Sequence, residues 1–164
     1  MKKILLLIIS LFFISCSTKN YTKEVLKDEI LAYTSKVENV IENNRYLATL
    51  SYLNPIFAEF RNENEDEFLI LMSYPKEIEI DETSFSINSQ NSDISVEILS
   101  DNDPLLEKLT FKLPWANYYK ISSSKATDDI IILTYKTKSD FMPKFLIRKT
   151  PKSLYWNPKL KLDD

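Results

Sequence analysis

The chain of 164 residues contains no histidine, no glycine and a single cysteine, Cys16. Each absence removes a class of chemistry. Without histidine there is no imidazole base, no Ser-His-Asp or Cys-His arrangement and no imidazole metal ligand. Without glycine there is no phosphate-cradling G-x-x-x-x-G-K loop, no dinucleotide fingerprint and no nucleophile elbow. Tight turns must then place Asn, Asp or Ser at positive φ. One cysteine can form neither an internal disulfide nor a thiolate zinc cluster. No motif asks for a metal or an organic cofactor.

What is present begins with an address. Met1-Lys2-Lys3 is a short basic segment, and Ile4–Ile14 is an apolar run broken only by Ser10. The run is shorter than the ~20 apolar residues of a membrane span. Residues 1–15 therefore read as a secretory signal peptide. The segment Phe13-Ile14-Ser15-Cys16 resembles a bacterial lipobox, with Phe13 where leucine is usual. The resemblance implies that Cys16 is lipidated and becomes the first mature residue, with 16–20 as a tether. Anchoring would be firm, since two or more acyl chains hold a protein stably on a bilayer where one does not. Cleavage before Cys16 would leave 149 of the 164 residues and move the net charge from −3 to −5, as Lys2 and Lys3 depart. Ser17, in place of Asp, implies sorting to the outer membrane, on its periplasmic face or at the cell surface. An exported chain of that charge is not expected to bind nucleic acid.

The remainder is long enough for one sizeable core, and the whole chain's 44% hydrophobic and 12% aromatic content is too rich for disorder. Leu26, Ile30, Tyr33, Val37 and Val40 recur at steps of four and three, which predicts an amphipathic helix over Tyr21–Glu42. Asn43-Asn44 would close it, making 21–44 one element. Beyond Asn44 the period drops to two. Strands are predicted over 45–53, 67–73, 78–80, 84–87, 94–99, 118–122, 130–136 and 144–148, with Asp103-Pro104 opening a short helical turn to Lys108. The expected fold is mainly β: an antiparallel sandwich of about seven to eight strands over 45–164, ending in a basic tail, preceded by the one helix.

The segments Tyr52-Leu53-Asn54-Pro55 and Pro114-Trp115-Ala116-Asn117-Tyr118-Tyr119, taken with the signal and the helix, resemble small lipoproteins of epsilon-type proteobacteria. That resemblance implies a helix followed by a variant immunoglobulin-like sandwich without its disulfide, and it brings no catalytic residue.

Candidate chemical sites are sparse. Ser122-Ser123-Ser124-Lys125 spells S-x-x-K, but no K-T-G strand accompanies it, and it reads as a polar hairpin loop. Glu63, Glu65, Asp66 and Glu67, and Asp101 with Asp103, offer oxygen ligands without EF-hand spacing; they read as solvated loops. Tyr118, Tyr119, Trp115 and Phe141 read as sandwich core. Tyr155-Trp156, past the last strand and beside Lys149, Lys152, Lys159 and Lys161, reads as the exposed contact surface, an aromatic anchor with charge steering. The expected role is that of a membrane-anchored, non-catalytic interaction module meeting a protein or envelope glycan. A structural subunit of an envelope complex is the alternative, and a carboxylate hydrolase a more distant one.

Overall fold

The computed structural model describes residues 21–41, 43–61, 66–109, 112–124 and 128–150. Helix α1 spans Tyr21–Ala32 and is followed by eight strands: β1 Thr34–Ile41, β2 Asn44–Tyr52, β3 Glu67–Tyr74, β4 Ile80–Ile87, β5 Ile94–Leu99, β6 Asn117–Ser123, β7 Ile130–Thr137 and β8 Lys144–Arg148. A short helix, α2, spans Pro104–Lys108. The strands form two antiparallel sheets, ordered β1-β2-β3-β6-β5 and β4-β7-β8. With β1 set aside, the larger sheet holds the first, second, fifth and fourth strands, and the smaller the third, sixth and seventh. That is the strand order of a constant-type immunoglobulin sandwich, with β1 added along one edge.

The helix expected to reach Glu42 stops ten residues sooner, at Ala32. The Ile30 carbonyl accepts both the Tyr33 amide at 3.1 Å and the Thr34 hydroxyl at 2.7 Å, which closes the last turn. From Thr34 to Ile41 the chain is rich in β-branched residues, which favour the pleated backbone. It pairs in continuous register with β2, from Thr34 opposite Ser51 to Ile41 opposite Asn44. Val37 and Ile41 turn toward the core, while Val40 points outward and is exposed. The connection to β2 turns through Asn43 at φ 67°. Asn88, Ser89, Asp93 and Asp140 also take positive φ, as expected of a chain that has no glycine for such turns. The two short strands expected at 78–80 and 84–87 are one strand, β4, whose pairing with β7 shifts register between Asp81 and Ser86.

Two cores result. Between the sheets lie Tyr46, Leu50, Leu69, Leu71, Phe85, Ile121, Leu133, Tyr135 and Phe145, all buried. The Tyr46 and Tyr135 hydroxyls share a buried 2.6 Å hydrogen bond that joins β2 to β7 across the sandwich. The outer face of the large sheet has its own cluster: Ile70, Met72, Leu99 and Tyr118 beneath Leu53, Leu105, Leu106 and Leu109. Strand β3 therefore reads Phe-Leu-Ile-Leu-Met without alternation, because both its faces are covered. Asp103 caps α2 by accepting from the Leu105 amide at 2.8 Å, as the Asp-Pro start predicts. Lys108 pairs with Glu59 at 2.6 Å, tying α2 to the segment after β2.

The antiparallel registers give the sandwich two ends. One gathers the β1–β2, β3–β4, β5–β6 and β7–β8 connections. The other receives α1, the remaining connections and the exit of β8.

Candidate binding surface

The end away from α1 is built from loops locked to one another. Lys76, in the β3–β4 connection, pairs with Asp101 of the β5–β6 connection at 3.0 Å. The Asn117 side-chain amide donates to the Lys76 carbonyl at 3.1 Å. Lys138, after β7, pairs with Glu79, and its backbone amide donates to the Glu79 carbonyl at 2.9 Å. The Lys112 ammonium donates to the Asp101 carbonyl. Exposed ion pairs contribute little individually. Together with the backbone bonds, however, they join three connections that the sequence keeps far apart.

Between these loops, and between the edges of β4 and β5, runs a groove of about 850 Å³. Ile98 and Tyr119 form its floor, with Ile80, Asp81, Glu82, Lys136 and Lys138 among its walls. Ile98 belongs to the inner face of the large sheet, yet it is 56% exposed, because the smaller sheet leaves it uncovered. Burial, and then the Glu82 carboxylate, hold the Tyr119 phenol above its ordinary value. The Asp81 carboxyl is held below its ordinary value chiefly by the Thr83 hydroxyl and amide, which donate to it at 2.7 and 3.0 Å. Glu82 engages no ion pair among the described residues. Nor, among them, does any group of three carboxylates stand ready to hold a metal. The arrangement offers hydrogen bonds, charge and apolar contact to a bound molecule.

At the same end, Leu113-Pro114-Trp115-Ala116 forms a tight turn, closed by the Ala116 amide donating to the Leu113 carbonyl at 3.3 Å. The Tyr118 hydroxyl, buried against the outer face of the sheet, accepts from the Leu113 amide at 2.7 Å. The turn is thus fastened at its base and carries Trp115 at its tip, 69% exposed. This corrects the expectation that Trp115 fills the core. Tyr118 and Tyr119 are buried as expected, and Phe141 lies half-buried with its ring edge-on to Tyr46 at 5.7 Å. Ser122 and Ser123 belong to β6 and only Ser124 lies beyond it, so the S-x-x-K run is part strand; Lys125 lies outside the described residues.

Of the residues singled out in the sequence, Cys16, Glu63, Glu65, Lys152, Tyr155, Trp156, Lys159 and Lys161 lie outside the described residues. Lys149 does not stand on the loop end. It follows β8 at the opposite end, half-buried, and pairs with the buried Glu67 at the start of β3. Glu67, one of the carboxylates read as a solvated loop, is only 4% exposed. The groove itself had no sequence signal, because its lining comes from four separate stretches, 76–82, 98, 117–119 and 136–140. Trp115 did have one: a proline directly before it in a short segment bounded by polar residues. No protein family model, curated protein or solved structure matches this chain.

Proposed function

We propose that the protein is a lipid-anchored bacterial envelope protein whose sandwich binds a partner without catalysis, through the end that carries Trp115 and the groove. One observation carries this reading: a tryptophan displayed on a hydrogen-bonded turn, at the end opposite α1. Exposing a large aromatic ring to water forgoes roughly 2–3 kcal/mol of burial, and tryptophan is prominent among the anchors of interfaces. A chain attached through Cys16 enters the fold by way of α1, which puts the loop end at the far side from the point of attachment. A strand of eight residues is about 26 Å long, so a partner would be met at that distance or more from the α1 junction.

Two results are expected. Radiolabelled palmitate should enter the wild-type protein and not Cys16→Ser; equal labelling of the two would remove the anchor from the proposal. The full chain, solubilised with its envelope in mild detergent, should retain a partner that Trp115→Ala retains roughly thirty-fold less well, the effect of losing one dominant aromatic anchor. Equal retention by both proteins would take the loop end out of the proposal. A stoichiometric complex that survives Trp115→Ala would favour the structural-subunit alternative.

A further inference from the structure

The four outer edges of the two sheets are not equally protected. Those of β1 and β8 lie against each other on one side of the sandwich. On the other side, β4 is broken by its register shift, and Asp81 there is folded into a turn with Thr83 and Ser84. Bulges of this kind blunt an edge against pairing. Strand β5 has no such device. It pairs with β6 in unbroken register from Ile94 opposite Ser123 to Leu99 opposite Tyr118, and among the described residues it is the last strand of its sheet.

The Ser124 amide donates to the Asp93 carbonyl, one step beyond the first register pair, so Asp93 and Ser124 form a hydrogen-bonded pair. Such pairs alternate along an antiparallel ladder. Ser95, Glu97 and Leu99 therefore spend their backbone groups on β6. Ile94, Val96 and Ile98 turn theirs to the open edge. The same three residues direct their side chains to the inner face of the sheet, where Ile98 floors the groove and Ile94 and Val96 are half-buried. One edge thus presents three N–H and C=O pairs at a two-residue spacing of ~7 Å, with an apolar side chain at each.

We propose that β5 receives an extended peptide segment, added as a sixth strand of the large sheet, with apolar residues at alternate positions over the groove and a lysine or arginine meeting Glu82. This rests on the reading of the protein as a binding module and names the chemistry of its partner. Main-chain bonds supply affinity in such strand addition, and side-chain pockets supply register and selectivity. Glu82 lines the groove free of any ion pair among the described residues, whereas the neighbouring Lys138 and Lys136 are already matched by Glu79 and Asp140. The uncompensated charge at this edge is therefore negative, which selects a basic peptide over an acidic one.

The test uses the full chain in detergent, screened against a random linear peptide library. Selected peptides are expected to alternate apolar and polar residues and to include a basic one. Methylating their backbone nitrogens at every second residue should weaken binding roughly tenfold in one of the two phases and little in the other, since one to two main-chain bonds are lost only when the edge-facing amides are blocked. Val96→Pro removes an edge-facing N–H without touching the ladder to β6 and should weaken binding to a similar degree; proline is tolerated at such edge positions. If Val96→Pro fails to fold, the methylated peptides decide alone. Selection of no peptide, or selected peptides indifferent to methylation in either phase, would overturn the proposal. So would a dimer, seen by light scattering, that Val96→Pro disperses, because the occupant would then be a second copy of the chain. Failure here together with Trp115-dependent retention of an envelope partner would leave the binding role standing and remove only the strand addition. Loss of Trp115-dependence with peptide binding intact would leave the strand addition standing and remove only the tryptophan's part in binding.

Discussion

Replacing Phe145 by alanine should cost about 3–5 kcal/mol of folding stability, the range for deleting a fully buried aromatic ring. Phe145 is 0% exposed and stacks on Tyr135 with ring centroids 6.0 Å apart. Its strand, β8, has only five residues, of which Phe145 and Ile147 alone are buried. Removing one of two inward anchors weakens the hold of the whole strand on the sandwich, so collapse around the cavity offers little relief. Trp115→Ala is the contrasting change. Its ring touches water over most of its surface, and the substitution should move stability by less than about 0.5 kcal/mol. Urea denaturation of the two variants beside the wild type measures both. A cost for Trp115→Ala that approached the cost for Phe145→Ala would mean that the tryptophan packs, and the candidate surface would be lost with it.

Raising the pH should destabilise the protein steeply above the ordinary tyrosine pKa of 10.0. Burial is the main cause that pushes Tyr46 up to about 12, and burial raises Tyr135 further still. The sign follows from proton counting. Below pH 10 both phenols are protonated whether the chain is folded or unfolded, and their contribution is constant. Above it, the unfolded chain releases these protons while the folded chain holds them. The unfolded state then binds fewer protons, and stability falls as the pH rises. For Tyr46 the loss should reach roughly 2–3 kcal/mol by pH 12, at about 1.4 kcal/mol per pH unit. Tyr33, Tyr52, Tyr118 and Tyr119 are raised as well and add to the slope. Tyr46→Phe isolates one share. At pH 8 it should cost about 1–3 kcal/mol, because the Tyr135 hydroxyl loses its partner across the sandwich. Above pH 10 it should lose stability less steeply than the wild type. Equal alkaline slopes, measured as urea midpoints over successive pH values, would contradict the burial of that pair.

Strands β2, β3 and β5 to β8 were legible because their inward residues alternate, as in Tyr46, Ala48, Leu50 and Tyr52, or run unbroken where both faces are covered, as in β3; β4 reads as two short strands because its polar middle interrupts the apolar pattern where the register shifts. Only the residue types of the turns were legible: with glycine absent, Asn, Asp or Ser had to carry the positive φ, as Asn43, Asn88, Ser89, Asp93 and Asp140 do, although Asn43 was expected to close a helix. Strand β1 was misread for a physical reason. Tyr33, Val37 and Ile41 are spaced by four, and residues four apart share a face in a helix and in a strand alike. Periodicity cannot separate the two readings there. The decision falls to β2, whose register offers every residue of β1 a partner, and to the β-branched side chains that favour that backbone.

Local sequence could therefore determine most of the element pattern outside β1 and β4, the two-sheet class, the α2 cap and the catalytic chemistries that lack their residue types. It could not determine which apolar residues stay wet. Trp115 and Tyr118 lie in one short aromatic-rich stretch, and only the docking of that stretch on the outer face of the large sheet buries one and exposes the other. The groove and the open edge are further removed from sequence. Each arises where two sheets, folded from distant segments, fail to cover one another. The shift in β4, the uncovered Ile98 and the edge of β5, unpartnered among the described residues, follow from how the layers overlap, a long-range property that no window of neighbouring residues contains.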